Sequence, residues 1–110
     1  MRTDQDDLAG LFKALGDPTR LAVIARLADG PASVSDLAEP FQMAGPSFLK
    51  HLRVLEEAGL VATQKKGRVR TVALAPEKMR DMADWVAAHR RAWERRLDRL
   101  GDFLKEERDD

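Results

Sequence analysis

Three side chains that can donate hydrogen bonds lie close together in the stretch GPSFLKHLRVLEEAGLV, residues 45–61: Ser47, Lys50 and His51. At about 100° per residue, a helix places these hydroxyl, ammonium and imidazole groups on one side, and the phenylalanine and the leucines on the other. Donors of this kind suit base edges and phosphate oxygens. The pattern therefore predicts a short helix with one face buried and the other available to recognise a partner.

A second group of donors follows directly in LVATQKKGRVRTVAL, residues 60–74. Two short runs rich in Val and Thr are separated by KKG, which indicates a β-hairpin with a basic tip. Its cationic side chains, which suit phosphate groups, are Lys65, Lys66, Arg68 and Arg70.

Charge is unevenly distributed along the chain, although the formal net charge of its 110 residues is zero. Residues 46–70 hold six basic side chains, including Lys50 and Arg53 of the predicted helix, and two acidic ones. Residues 102–110 hold five acidic and two basic side chains. This separation is expected where one face meets phosphate and the ends do not, although ordinary solvated charge also produces it.

Two further helices are expected before residue 30. The first lies between residues 6 and 16 and has the stripe Leu8, Leu11, Phe12 and Leu15. Asp17 and Pro18 then fit the N-cap and the first position of a second helix. The expected buried stripe of this second helix is Leu21, Ile24 and Leu27.

Ser33, with Asp36 three residues later, indicates the cap of a third helix, which Pro40 limits to about two turns. The expected order is thus a short helix, a turn, an amphipathic basic helix and a basic hairpin. This is the order of a winged helix-turn-helix, whose second short helix fits the major groove of DNA. The alternative is a helical bundle with an additional hairpin. We predict a mainly α fold with a small β-hairpin, a winged helix-turn-helix with a long C-terminal dimerisation helix.

The chain from Pro76 to Glu106 has one continuous helical pattern. Such a helix is about 45 Å long, more than a domain of this size needs to cover its own core. The apolar stripe favours a two-fold, helix-to-helix dimer joined by the first helix, whereas packing within one domain is the alternative. The residues expected at the dimer interface are Leu8, Leu11, Phe12, Met82, Trp85, Val86, His89, Trp93, Leu97, Leu100 and Leu104.

Three stretches, LFKALGDPTRLAVIARL, KHLRVLEEAGLV and GRVRTVAL, resemble the ArsR/SmtB family of winged-helix repressors over about residues 8–75. The resemblance implies a dimeric transcriptional repressor that binds an operator and releases it when an effector binds. By position, Gly45, Ser47, Lys50 and His51 match the DNA-reading turns of the family's recognition helix. Arg68 and Arg70 match its wing.

The sequence departs from the family pattern in two ways. Leu49 stands where much of the family has a serine able to meet DNA, so either this position turns toward the core or the operator sequence differs. The cysteine motif of the metal-sensing branch is absent from SVSDLAEPF, and the chain has no cysteine at all. Its two histidines, His51 and His89, do not form a pair at metal-ligand spacing. We therefore expect no metal and no cofactor.

Catalysis is not expected, because the sequence has no glycine-rich phosphate loop, no cysteine and only two distant histidines, and its carboxylates are expected on exposed helical faces without a cleft. The partner is expected to be double-stranded DNA. The alternative function is a winged-helix module that binds an acidic protein and never contacts DNA. Neither an effector, nor the operator sequence, nor the choice between repressor and activator follows from the residues.

Length indicates one domain spanning residues 1–110. Within it, residues 1–16 and 76–107 are expected to form the dimerisation helices, and residues 17–75 the DNA-binding core and wing. No apolar run approaches a membrane span, and the polar start is not a signal peptide, so a cytoplasmic protein is expected.

Overall fold

Residues 4–108, the part of the chain that the computed structural model describes, form five helices and three strands. Residues 1–3 and 109–110 of the expected domain lie outside the described residues. The elements are α1 Asp4–Leu15, α2 Pro18–Leu27, β1 Ala32–Ser33, α3 Val34–Ala38, α4 Gly45–Glu57, β2 Val61–Lys66, β3 Val69–Leu74 and α5 Pro76–Arg108. This architecture confirms the predicted mainly α fold with a β-hairpin and a long final helix.

Side-chain caps fix the starts of α2 and α3, as the sequence predicts. Asp17 Oδ2 accepts a hydrogen bond of 3.1 Å from the Arg20 backbone N–H, and Pro18 occupies the first helical position. Ser33 Oγ accepts a hydrogen bond of 3.1 Å from the Asp36 backbone N–H. Helix α3 has five residues, and it ends at Ala38 before Pro40.

The predicted buried stripe of α2 is wrong at Leu21, whose side chain is 54% exposed. Val23, Ile24 and Leu27 form the buried face instead. Leu21 lies two residues before Val23 and therefore about 200° around the helix, so the two side chains cannot both face the core. The spacing of Ile24 and Leu27 fits either stripe, and tertiary packing selects the one that contains Val23.

The hairpin predicted after α4 is present and belongs to a three-stranded antiparallel sheet of order β1-β3-β2. The predicted separator KKG is wrong at its two lysines, because Lys65 and Lys66 pair with Arg70 and Val69 and so belong to β2. Gly67 and Arg68 form the two-residue turn, and Gly67 has the positive φ of 62° that such a turn requires. The two-residue strand β1 pairs with β3 at Val72 and Thr71. The sequence does not predict β1, because two residues are too short to show a strand period and their partner strand β3 lies far along the chain.

One hydrophobic core joins all five helices to the sheet. Its fully buried side chains include Phe48 and Leu55 of α4, and Phe48 stacks on Phe41 at a ring-centroid distance of 5.6 Å. Leu52 completes the buried face of α4, as predicted. Helix α4 is therefore held rigidly, and its opposite face is free.

Helix α5 continues through Gly101 without a break and is about 50 Å long. Met79 and Met82 pack on the core, but every residue from Val86 to Glu106 is exposed. Most of α5 thus projects beyond the core. No helix within residues 4–108 has the length and apolar character needed to cross a membrane.

Gly59 follows α4 with φ +80°, and a Cβ at this position would lie 3.1 Å from the Lys78 Cγ atom. We expect Gly59→Ala to destabilise the fold by about 1 to 2 kcal/mol, because alanine resists this left-handed conformation. Gly10→Ala is the matched control. A Cβ at Gly10 meets nothing within 4 Å, and alanine favours a helix, so stability should rise by up to about 1 kcal/mol. Equal effects of the two substitutions in urea unfolding would contradict this prediction.

Candidate nucleic-acid interface

The exposed face of α4 begins at the N-terminus of the helix. Gly45 and Pro46 open the helix, and Ala44 provides no side-chain cap. The first-turn backbone N–H groups are therefore left without a side-chain cap at the end where α4 is most positive. Ser47, Lys50 and Arg53 are all exposed along this side of the helix. Their hydroxyl and cationic groups form a surface that suits base edges and phosphates.

The wing, defined as β2, β3 and their turn, supplies the second part of the surface. Lys65, Lys66, Arg68 and Arg70 are all exposed, as the sequence analysis requires. Lys65 and Arg70 are directly opposite each other in the strand register. Like charges in such a pair repel, and an anion between them relieves the repulsion.

A side-chain hydrogen bond connects the wing with α4. The Thr63 hydroxyl donates to Glu56 Oε2 at 3.3 Å. A cleft of about 390 Å³ lies between the two elements, with Leu49, Arg53 and Arg70 among its lining residues. Leu49 is 40% exposed, so it does not turn into the core. Its apolar side chain lies on the same surface as the cationic groups.

His51 is half-buried, and the structure places it against α2 rather than free on the surface. Its Nδ1 atom lies 3.2 Å from Arg20 Nη1 and 3.6 Å from Asp17 Oδ2. The sequence predicts Asp17 as a helix cap, but it does not single out Arg20. No periodic signal connects Arg20 with His51, because the two residues are 31 positions apart in the chain.

The fold lowers the pKa of the Asp17 carboxyl in this cluster. The hydrogen bond from the Arg20 backbone N–H lowers the pKa of the Asp17 carboxyl below its ordinary value. The charge of the nearby Arg20 guanidinium also lowers this pKa, as does the charge of His51 when its ring is protonated, whereas burial opposes them. Because the folded pKa is depressed, the stability that the carboxylate contributes is present above the ordinary Asp range. It is lost as the pH falls through the depressed value.

The residues expected at a dimer interface fall into three groups by their burial in the single chain. Leu11 and Met82 are buried in the core of the single chain, and they do not lie on its surface. Leu8 and Trp85 are half-buried. The other side chains are exposed: Phe12, Val86, His89, Trp93, Leu97, Leu100 and Leu104.

An aromatic cluster connects α1 with α5. Phe12 packs edge to face against Trp85 at a ring-centroid distance of 5.6 Å, and Trp85 packs in the same way against Trp93 at 5.5 Å. The His89 ring packs against both tryptophans, and its Nδ1–H donates to the Trp85 carbonyl at 2.8 Å. Within residues 4–108, no group of three or more potential ligands is placed to hold a metal ion.

Comparison with known proteins gives consistent matches. A helix-turn-helix domain family matches residues 15–64. An HTH-type transcriptional regulator of Mycobacterium tuberculosis is 33% identical over 99 residues, which are 90% of each chain. The transcriptional repressor SdpR of Bacillus subtilis is 32% identical over 76 residues, which are 69% of this chain and 84% of SdpR.

Solved structures agree with these relatives. The crystal structure of an ArsR family transcriptional regulator is 49% identical, with a TM-score of 0.74 over 86% of this chain and 97% of the other. An ArsR-like transcriptional regulator from Rhodococcus is 28% identical, with a TM-score of 0.67 over 90% and 93% of the two chains. These relatives are transcriptional regulators, not enzymes. With its winged helix-turn-helix and its exposed basic face, the chain belongs to the ArsR family of DNA-binding transcriptional regulators.

Proposed function

We propose that the protein is a homodimeric repressor that binds an inverted-repeat operator, with α4 in the major groove and the wing on the adjacent backbone. The observation that carries this proposal is that the exposed cationic face of α4 adjoins the basic wing, with Arg53 and Arg70 lining one cleft between them. The buried face of α4 anchors the helix while the donor face stays free. Binding to chromosomal DNA would place the protein in the cytoplasm.

The exposed apolar stripe of α5 is the observation that supports the proposal of a dimer. Trp93, Leu97, Leu100 and Leu104 are exposed along one stripe of this helix. A contiguous exposed apolar patch marks an interaction site, and a second copy of the chain would cover this stripe. We propose that α1 and α5 form the dimerisation unit, and that residues 17–75 form the DNA-binding unit.

Two-fold symmetry sets the expected operator. The two copies of α4 should enter successive major grooves about 34 Å apart, so the half-sites should be related as an inverted repeat. Hydroxyl-radical footprinting on the promoter next to the protein's own gene tests this arrangement. Two protected half-sites one helical turn apart are expected, and a single unpaired half-site would contradict the dimeric mode.

Within this interface, the wing is expected to supply affinity rather than sequence choice. Arg68→Ala should weaken binding equally on the operator and on a scrambled duplex. It should also reduce the slope of log K against log salt by about 0.9, because the variant neutralises one phosphate fewer. Arg91→Ala, which removes an exposed arginine from α5, is the control and should change neither quantity. A weakening confined to the operator would mean that Arg68 reads bases.

A further inference from the structure

We propose that Arg20 is a positioning residue for DNA binding. It holds the ring of His51 so that the Nε2–H group of this ring donates a hydrogen bond to a DNA phosphate. This inference rests on the proposed function of α4 as the DNA-binding helix. It assigns roles to two side chains at the junction of three helices.

Arg20 links three helices at this junction. Its Nε–H donates to the carbonyl of Ala14 in α1 at 2.6 Å, and its Nη1 lies 3.2 Å from Nδ1 of His51 in α4. The carboxylate of Asp17 accepts from the Arg20 backbone N–H, which fixes the start of α2. Ala14 is buried, so one end of the guanidinium is anchored in the core. The guanidinium therefore sets where the His51 ring lies.

The contact also determines which ring nitrogen carries the proton. A guanidinium has only donors, so the nitrogen that faces it must accept. In this contact Nδ1 of His51 is therefore the acceptor, and the neutral ring that makes the contact carries its proton on Nε2. A protonated Nδ1 would turn to Asp17 instead, but that carboxylate is farther away, at 3.6 Å.

Nε2 of His51 has no hydrogen-bond partner within residues 4–108, although a quarter of the side chain is exposed. His51 lies one turn after Ser47 and directly follows Lys50. Its ring therefore borders the proposed DNA-facing side of α4 on the flank next to α2. A donor at the edge of a recognition helix is suited to the phosphate backbone.

The experiment compares affinity and salt dependence at pH 8 for the operator and a scrambled duplex. His51→Ala should bind both duplexes about tenfold more weakly, the usual effect of losing a hydrogen bond to a charged group. Its salt slope should stay unchanged, because a neutral donor displaces no counterion. His51→Asn keeps an acceptor near Arg20, but its side chain has no donor at the position of Nε2. This variant should therefore weaken DNA binding as much as His51→Ala does.

Arg20→Lys isolates positioning from charge. Lysine keeps the positive charge but lacks the planar fork that spans Ala14 and His51, so DNA binding should weaken several-fold. In the His51→Ala background the same change should have no further effect, because Arg20 acts through the ring. Arg26→Lys, an exposed arginine on the same helix, is the matched control and should leave affinity unchanged.

Long-range ¹H–¹⁵N correlation in the free protein should find the His51 proton on Nε2. A proton on Nδ1, an unchanged affinity of both His51 variants, or an equal effect of Arg20→Lys in both backgrounds would overturn the inference. The Lys50→Ala variant distinguishes a failure of this inference from a failure of the proposed function. If Lys50→Ala weakens binding while the His51 variants do not, the proposed function stands and the inference fails. If none of these variants affects DNA binding, both fail.

Discussion

Trp93→Ala is expected to convert the proposed dimer into monomers at micromolar concentration while each chain stays folded. In the single chain Trp93 is 43% exposed, and its ring packs against Trp85 and His89 of the aromatic cluster, outside the buried core. Its removal should therefore disturb the core little. In a packed interface, replacement of tryptophan by alanine costs about 3 to 5 kcal/mol, and a two-fold interface loses the side chain twice.

Sedimentation velocity with parallel circular dichroism separates dissociation from unfolding. Arg91→Ala is the control, because Arg91 lies two residues before Trp93 and so projects from the opposite side of α5. It should leave both the dimer and the helix content unchanged. If the Trp93→Ala variant still forms a tight dimer, then α5 does not form the dimer interface.

Lys50→Ala and Ser47→Ala are expected to reduce the preference for the operator over a scrambled duplex. Both side chains are exposed on the N-terminal half of α4, the part of a recognition helix that meets base edges. Each should erode the preference by about 1 to 3 kcal/mol if the replaced side chain binds a base edge. Lys50→Ala should also lower the salt slope if its ammonium neutralises a phosphate, whereas Ser47→Ala should not.

Lys13→Ala is the matched control for the lysine substitution, since Lys13 is exposed on α1. Equilibrium titrations of the three variants against both duplexes at several salt concentrations measure the effects. Equal weakening on the two duplexes for both α4 variants would mean that α4 does not read sequence. Unchanged binding of both variants would favour the alternative of a protein-binding winged helix.

Features determined by neighbours in the chain were predictable from the sequence. The caps at Asp17 and Ser33, the turn at Gly67 and the two faces of α4 each depend on residues within about one turn of one another. Strand β1 was missed because its partner in β3 lies far along the chain. The Arg20–His51 contact was missed for the same reason.

Periodicity also leaves open which partner buries an apolar face. Leu11 and Met82 belong to helical stripes expected at the dimer interface, yet both pack in the core of their own chain. Leu97 and Leu100 belong to the same stripe of α5 and are exposed. A stripe identifies the side of a helix that avoids water, and only the three-dimensional fold divides that side between the core and the surface.

The central proposal is that the dimer recognises a DNA sequence through α4 and the wing. Its most direct test is an equilibrium titration of the unmodified protein with its own promoter duplex and with a scrambled duplex of equal length, over a range of salt concentrations. The promoter duplex should bind at least about 10³-fold more tightly, and log K for both duplexes should fall linearly with log salt. Equal affinity for the two duplexes, or binding with little salt dependence, would contradict the proposal.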